Sequence, residues 1–375
     1  MIIRNAEVFY KGRFEKKDVW IKGELIFAVE KNLSGDESEE IIDGSGLLLL
    51  PGFVDIHTHG RAGLDFSTAT ADEFGMLCLS YAECGVTSVL ATTMTMEYET
   101  TKQIMRRSRV AIESGFYGSR LLGINLEGPF LGPDRKGCHD EQYLLAPAID
   151  LIDELDKLSG ENIRLLDMDP ILPNAMDCIR KYSKTKTVSI AHTSSDYETA
   201  SAAVRAGAAH VTHLFNAMNG LHHREPGVIG MAADYPVTAE LICDGIHVHP
   251  SVIRMMFQLI GERIALISDS MSAAGLGEGE YELGGLKVFV KDKKASLADG
   301  TIAGSTINVF EAVKNVISFG VEKEKAILSA SLIPARAIGA DHMVGEIAEG
   351  KKADMLLVTR EFDLEQVYIG GKRFK

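Results

Sequence analysis

Cysteine is scarce in this chain. The five present (Cys78, Cys84, Cys138, Cys178 and Cys243) are odd in number and form no Cys-x-x-Cys. That excludes a disulfide framework and a thiolate zinc knuckle, and it suits a reducing compartment. Long apolar runs are missing: none reaches the roughly 18 residues of a membrane span, so no membrane partner is expected. Positive charge is in deficit, with a formal net charge of −14. Nucleic acid requires a basic face and is not expected as a partner. A small anionic substrate stays compatible, because a few local cations suffice for one phosphate. The stretch Met1-Ile2-Ile3-Arg4-Asn5-Ala6-Glu7 lacks a signal-peptide pattern, so a cytoplasmic location is expected. No Gly-x-Gly-x-x-Gly follows the first long apolar strand, which argues against a dinucleotide fold.

The chain's 375 residues exceed one typical core, so a large domain with a smaller companion is expected. Residues 1–50 read as short strands and turns: Glu7–Tyr10, Asp18–Ile21 and Leu25–Val29, separated by Lys11-Gly12 and Lys22-Gly23. The same texture returns near the C-terminus in Met355–Val358 and Gln366–Ile369. Neither end builds a core alone. Residues 1–50 plus 346–375 are therefore expected to form one small β-sandwich, with 51–345 inserted between them.

The middle alternates strand and helix. Eight strand candidates are evident: Gly52–Ile56, Ser88–Thr92, Leu121–Leu126, Arg164–Met168, Thr187–Ala191, Ala209–Thr212, Ala239–Cys243 and Ile264–Ser268. Most are continuous apolar runs, as parallel strands buried on both faces require. Pro147–Leu158 has helical period with Pro at its start. Two further helices end at Gly85 and Gly207 just before a strand. The expected fold is α/β, a (β/α)8 TIM-like barrel. Gly275–Gly279 reads as a flexible loop, and 286–302 as an inserted hairpin.

The residues that carry chemistry sit where these strands stop. The first ends in His57-Thr58-His59, whose side chains share one strand face. Later ends carry Glu127, His192, His213, Asp244 and Asp269. In a barrel all strand C-termini meet at one mouth. A converging set of His, Glu and Asp there is a metal site with a general base.

Several stretches then become specific. Pro51-Gly52-Phe53-Val54-Asp55-Ile56-His57-Thr58-His59-Gly60, Leu126-Glu127-Gly128-Pro129-Phe130 and Lys136-Gly137-Cys138-His139 are three of them. The others are His213-Leu214-Phe215-Asn216-Ala217-Met218-Asn219, Arg224-Glu225-Pro226-Gly227, Asp244-Gly245-Ile246-His247 and Ser268-Asp269. Over nearly its whole length the chain resembles the amidohydrolase superfamily and, within it, the N-acetylglucosamine-6-phosphate deacetylases. The lysine that hydantoinase-like members carry near the end of strand four is absent from Leu165-Leu166-Asp167-Met168-Asp169.

The resemblance implies removal of an acetyl group from an amino-sugar phosphate by metal-assisted hydrolysis. Glu127, His192 and His213 would hold the main divalent metal. His57 and His59 would hold a second, with Glu127 bridging. Zinc is the first expectation, with iron, manganese or cobalt open and one or two ions per subunit. Asp269 would be general base and then acid, and His139 would polarise the acetamide carbonyl. Asn216, Ala217, Arg224 and His247 would take the phosphate. A homodimer is expected, with Arg224 supplied by the site's own or a neighbouring subunit. The other histidines nearby, His210, His222, His223 and His249, receive no role.

Overall fold

The structure, a computed structural model, describes residues 1–34 and 39–375. Eight parallel strands form its centre: β1 (Phe53–Asp55), β2 (Val86–Thr92), β3 (Arg120–Leu126), β4 (Ile163–Met168), β5 (Thr187–Ile190), β6 (His210–Val211), β7 (Thr238–Ile242) and β8 (Ile264–Ile267). Each pairs with the next in sequence, from β1 through β8. One side-chain and one backbone hydrogen bond stitch the seam between β1 and β8. Ser268 Oγ donates to the buried Asp55 carboxylate at 2.5 Å, and the Asp269 N–H donates to the His57 carbonyl at 2.9 Å.

Period-two alternation builds the barrel's two cores. Val54, Leu90, Leu165, Ile242, Ala265 and Ile267 point inward, where Ile333 and Ala335 of the helix Leu332–Ala337 join them. Their neighbours Phe53, Val89, Leu166, Leu241 and Leu266 point outward onto the surrounding helices. Each of the Val, Leu, Ile and Phe side chains among them contributes about 1.5–3 kcal/mol by leaving water.

The helices begin and end for local reasons. In Ala71–Glu83 the Thr70 and Glu73 side chains form a capping box. The chain reverses after that helix through Gly85 at φ 82°. Gly207 at φ 122° ends Tyr197–Ala206 in the same way. The helix expected from Pro147 starts later, at Ile149. Asn174 Nδ2 donates to the Pro147 carbonyl at 3.4 Å and Ala148 stays extended.

Strands from both chain ends make two further sheets. One holds Leu25–Glu30, Asp18–Lys22, Ile2–Arg4 and Ile41–Asp43. The other holds Lys372–Arg373, Leu364–Ile369, Met355–Val358, Leu48–Pro51, Glu7–Tyr10 and Arg13–Lys16. Ile3, Val19, Ile26, Leu49, Met355 and Leu357 pack between them. After β8 the expected hairpin is a three-stranded antiparallel sheet, Gly279–Leu283, Leu286–Lys291 and Lys294–Ser296. Gly279, read from sequence as part of a loop, is already in the first of these strands. Leu283, Val288 and Val290 pack on Met94 and Met271, which seats this sheet at the barrel mouth. Among the described residues, no helix is long and apolar enough to cross a membrane.

Candidate active site

At the C-terminal ends of the strands the backbone leaves ordinary geometry. His192 (φ 44°), His213 (φ 26°) and Asp269 (φ 45°), following β5, β6 and β8, all lie in the left-handed region. Non-glycine residues adopt it at a cost, and such strain gathers at functional sites. Here it turns each side chain off its strand axis toward the mouth.

Glu127, at the end of β3, is the hub. Its Oε1 lies 3.1 Å from His192 Nε2 and 3.2 Å from His213 Nε2. Its Oε2 lies 3.0 Å from His59 Nε2, 3.4 Å from His57 Nε2 and 3.6 Å from His139 Nε2. Asp269 Oδ1 closes the second group, 3.2 Å from His59 and 3.6 Å from His57. All of these residues are buried.

The donor set fits divalent cations. His192 Nδ1 reaches the Arg135 carbonyl at 2.7 Å, an acceptor, so this nitrogen carries the proton and Nε2 presents a lone pair. That Nε2 stands 3.1 Å from His213 Nε2. Ligands at about 2.1 Å around a tetrahedral ion stand about 3.4 Å apart, close to the spacing here. His57 Nε2 and Glu127 Oε2 are buried without a hydrogen-bond partner. Burial drives His192 down to about 4, which keeps its ring in the neutral, ligating form. Burial pushes the Glu127 carboxyl up, but the surrounding imidazoles, His57 and His139 foremost, outweigh it and hold it well below the usual range. Asp269 is likewise held low against burial, by His59 and His57.

His139 is different. The Thr95 backbone N–H donates to its Nδ1 at 3.2 Å, with Thr95 Oγ1 at 2.8 Å. An Nδ1 that accepts leaves the proton on Nε2, so His139 offers a donor to the site.

A cavity of about 220 Å³ opens over these groups, lined also by Asn216, Ala217, His247, Thr301 and Ile302. His247 is fixed by Asp244, whose carboxylate lies 2.6 Å from its Nδ1. Arg224 is not brought in: it is exposed and lies 2.6 Å from His223 Nε2. Among the described residues lining the cavity, none is Lys or Arg.

One family model, the amidohydrolase family, matches residues 48–374. The chain belongs to the amidohydrolase family. Members of that family are metal-dependent, and this one carries three candidate ligand groups: His57–Glu127–His213, His57–His59–Asp269 and Glu127–His139–His192. The amidohydrolase is 33% identical to an N-acetylglucosamine-6-phosphate deacetylase of Vibrio furnissii, over 92% of this chain and 88% of that one. It is 35% identical to an N-acetylgalactosamine-6-phosphate deacetylase of Escherichia coli O157:H7, over 87% of each. The solved structure of the N-acetylglucosamine-6-phosphate deacetylase of Pasteurella multocida superposes with a TM-score of 0.94 at 28% identity, covering 99% and 98% of the two chains.

Two residues outside the expected set also shape the amidohydrolase's site. Glu240, buried on β7, lies 2.9 Å from His57 Nδ1 and 3.1 Å from His210 Nε2. His210 is therefore no solvated loop histidine but a fully buried one. His222, His223 and His249 are exposed. The signal for Glu240 was present in Ala239-Glu240-Leu241-Ile242: a charge inside an apolar strand demands a buried partner.

Proposed function

We propose that this amidohydrolase removes the acetyl group of N-acetylglucosamine 6-phosphate, giving glucosamine 6-phosphate and acetate. One observation carries the reading. A single cavity is lined by a divalent-metal ligand set, a buried carboxylate and Asn216, Ala217 and His247. The names borne by the relatives point to the same chemistry.

Glu127, His192 and His213 would hold the main cation, and His57 and His59 a second, with Glu127 shared. Zinc is the first choice for this nitrogen and carboxylate set, with iron, manganese or cobalt as alternatives. The cation supplies Lewis acidity, acidifying a water and polarising the amide carbonyl. Asp269 takes the proton of the attacking water as general base and returns it to the leaving nitrogen as acid. An amine departs poorly without that proton, so one carboxylate serves both steps. The Nε2–H of His139 donates to the acetyl oxygen as negative charge gathers there.

Asn216, Ala217 and His247 line the side of the cavity assigned to the phosphate. The absence of arginine and lysine from the cavity's described lining is the reason to place Arg224 of a second subunit there, in a homodimer. Its planar fork suits a phosphate. A cytoplasmic location is part of this proposal, as is a small β-domain of residues 1–50 plus 346–375 beside a catalytic barrel of 51–345. A second reading, the C4 epimer N-acetylgalactosamine 6-phosphate, is favoured by the Escherichia coli relative.

The test is amine release from N-acetylglucosamine 6-phosphate, its C4 epimer and unphosphorylated N-acetylglucosamine, with and without chelator. Chelator-sensitive release from the first alone is the expected result. Equal rates on the unphosphorylated sugar would refute the phosphate assignment and keep the amidase. Preference for the epimer would select the second reading.

A further inference from the structure

Glu240 does not line the cavity, so it cannot act on a substrate directly. It lies on β7, at zero exposure, on the inward face. One of its oxygens, Oε2, lies 2.9 Å from His57 Nδ1 and accepts the backbone N–H of His213 at 3.0 Å. The other, Oε1, lies 3.1 Å from His210 Nε2. A carboxylate can only accept, so His57 Nδ1 and His210 Nε2 both carry their protons. With the Nδ1 proton fixed on Glu240, Nε2, which faces Glu127 and Asp269, is the nitrogen left to give up its proton and ligate a cation. The same oxygen ties down the backbone of His213, which sits at the costly φ of 26°. The two histidines belong to different halves of the ligand set.

We propose that Glu240 is a positioning residue that presets both halves at once, through the tautomer of His57 and the backbone of His213. His210 holds the carboxylate from below. The inference rests on the reading of His57 and His213 as ligands of divalent cations. It goes beyond that reading by assigning their preorganisation to one buried carboxylate.

The experiment strips the full-length protein with chelator and titrates back zinc and cobalt against a chromophoric chelator. Wild type is compared with Glu240→Gln, Glu240→Leu, His210→Gln and His210→Phe. Partners of this kind change metal affinity about 10–100-fold. Glu240→Gln is expected to weaken uptake within that range and alter the visible cobalt spectrum, while the melting temperature of the metal-free protein moves little. His210→Gln, which keeps a donor toward Glu240, should stay near wild type, and His210→Phe should not. Should Glu240→Leu fail to fold, the two Gln variants carry the test. Wild-type affinity and an unchanged cobalt spectrum in Glu240→Gln would overturn the inference. Metal uptake is read without substrate, so a failed deacetylase assay and a failed positioning role are distinguishable.

Discussion

Asp269 and His139 both face the Glu127 cluster, one able to accept a proton and the other donating a hydrogen bond. Their loss should therefore show differently. Asp269→Asn keeps shape but cannot take a proton, so kcat on the acetylated sugar phosphate should fall about 10²–10⁴-fold. His139→Ala removes a donor needed mainly when charge builds on the acetyl oxygen, so kcat should fall about 10²–10³-fold with KM nearly constant. Steady-state kinetics on metal-loaded protein separates the two, and an unchanged kcat in either removes that residue from the mechanism. The chemistry of Glu127, His192, His213 and Asp269 was legible because each interrupts an apolar strand at its C-terminal end. The structure places them together with His57 and His59. Glu240 and His210 were not legible as partners. Their pairing joins β6 to β7 across 30 residues, and nothing local to either strand announces it. The tautomer of His139 was hidden for the same reason, since it depends on Thr95, 44 residues away.

The eight barrel strands were readable from apolar runs and their spacing: parallel strands buried on both faces read as continuous apolar runs, and these are too short to be buried helices. Boundaries were less readable: the helix expected from Pro147 starts at Ile149, within the drift that helix ends show. Close approach between strands is legible only in the structure. A Cβ on Gly52, just before β1, would stand 2.1 Å from Thr87 Oγ1 in β2. Gly52→Ala must therefore push β1 away from β2, five residues before the first ligand histidine. Overpacking of this kind costs about 1–3 kcal/mol. The expected result is a clear drop in melting temperature together with weakened metal uptake, because His57 and His59 directly follow β1. A variant that melts like wild type would show that Thr87 yields freely, and that β1 is less tightly held than these distances indicate.

At the scale of the molecule, cations should hold the barrel mouth together. Glu127, Asp269 and Glu240 are three buried carboxylates in one cluster, and an ion bound only to the folded state stabilises it by mass action, about 2.7 kcal/mol at a hundredfold excess over Kd. Chelation should lower the melting temperature, and zinc should restore it in a concentration-dependent way. No shift in calorimetry would argue against tight binding. The assembly itself yields a sharper test. Arg224 is exposed in a single chain, and the described lining of the cavity holds no Arg or Lys. If a twofold dimer supplies Arg224 across its interface, Arg224→Ala and Asp269→Asn should each be nearly inactive alone. After mixing under conditions that exchange subunits, half the dimers are hybrids. Each hybrid has one complete site, since the Arg224→Ala subunit keeps Asp269 and receives arginine from its partner. Activity should recover to about a quarter of wild type. If Arg224 instead serves its own subunit, every hybrid site lacks one group or the other, and mixing restores nothing.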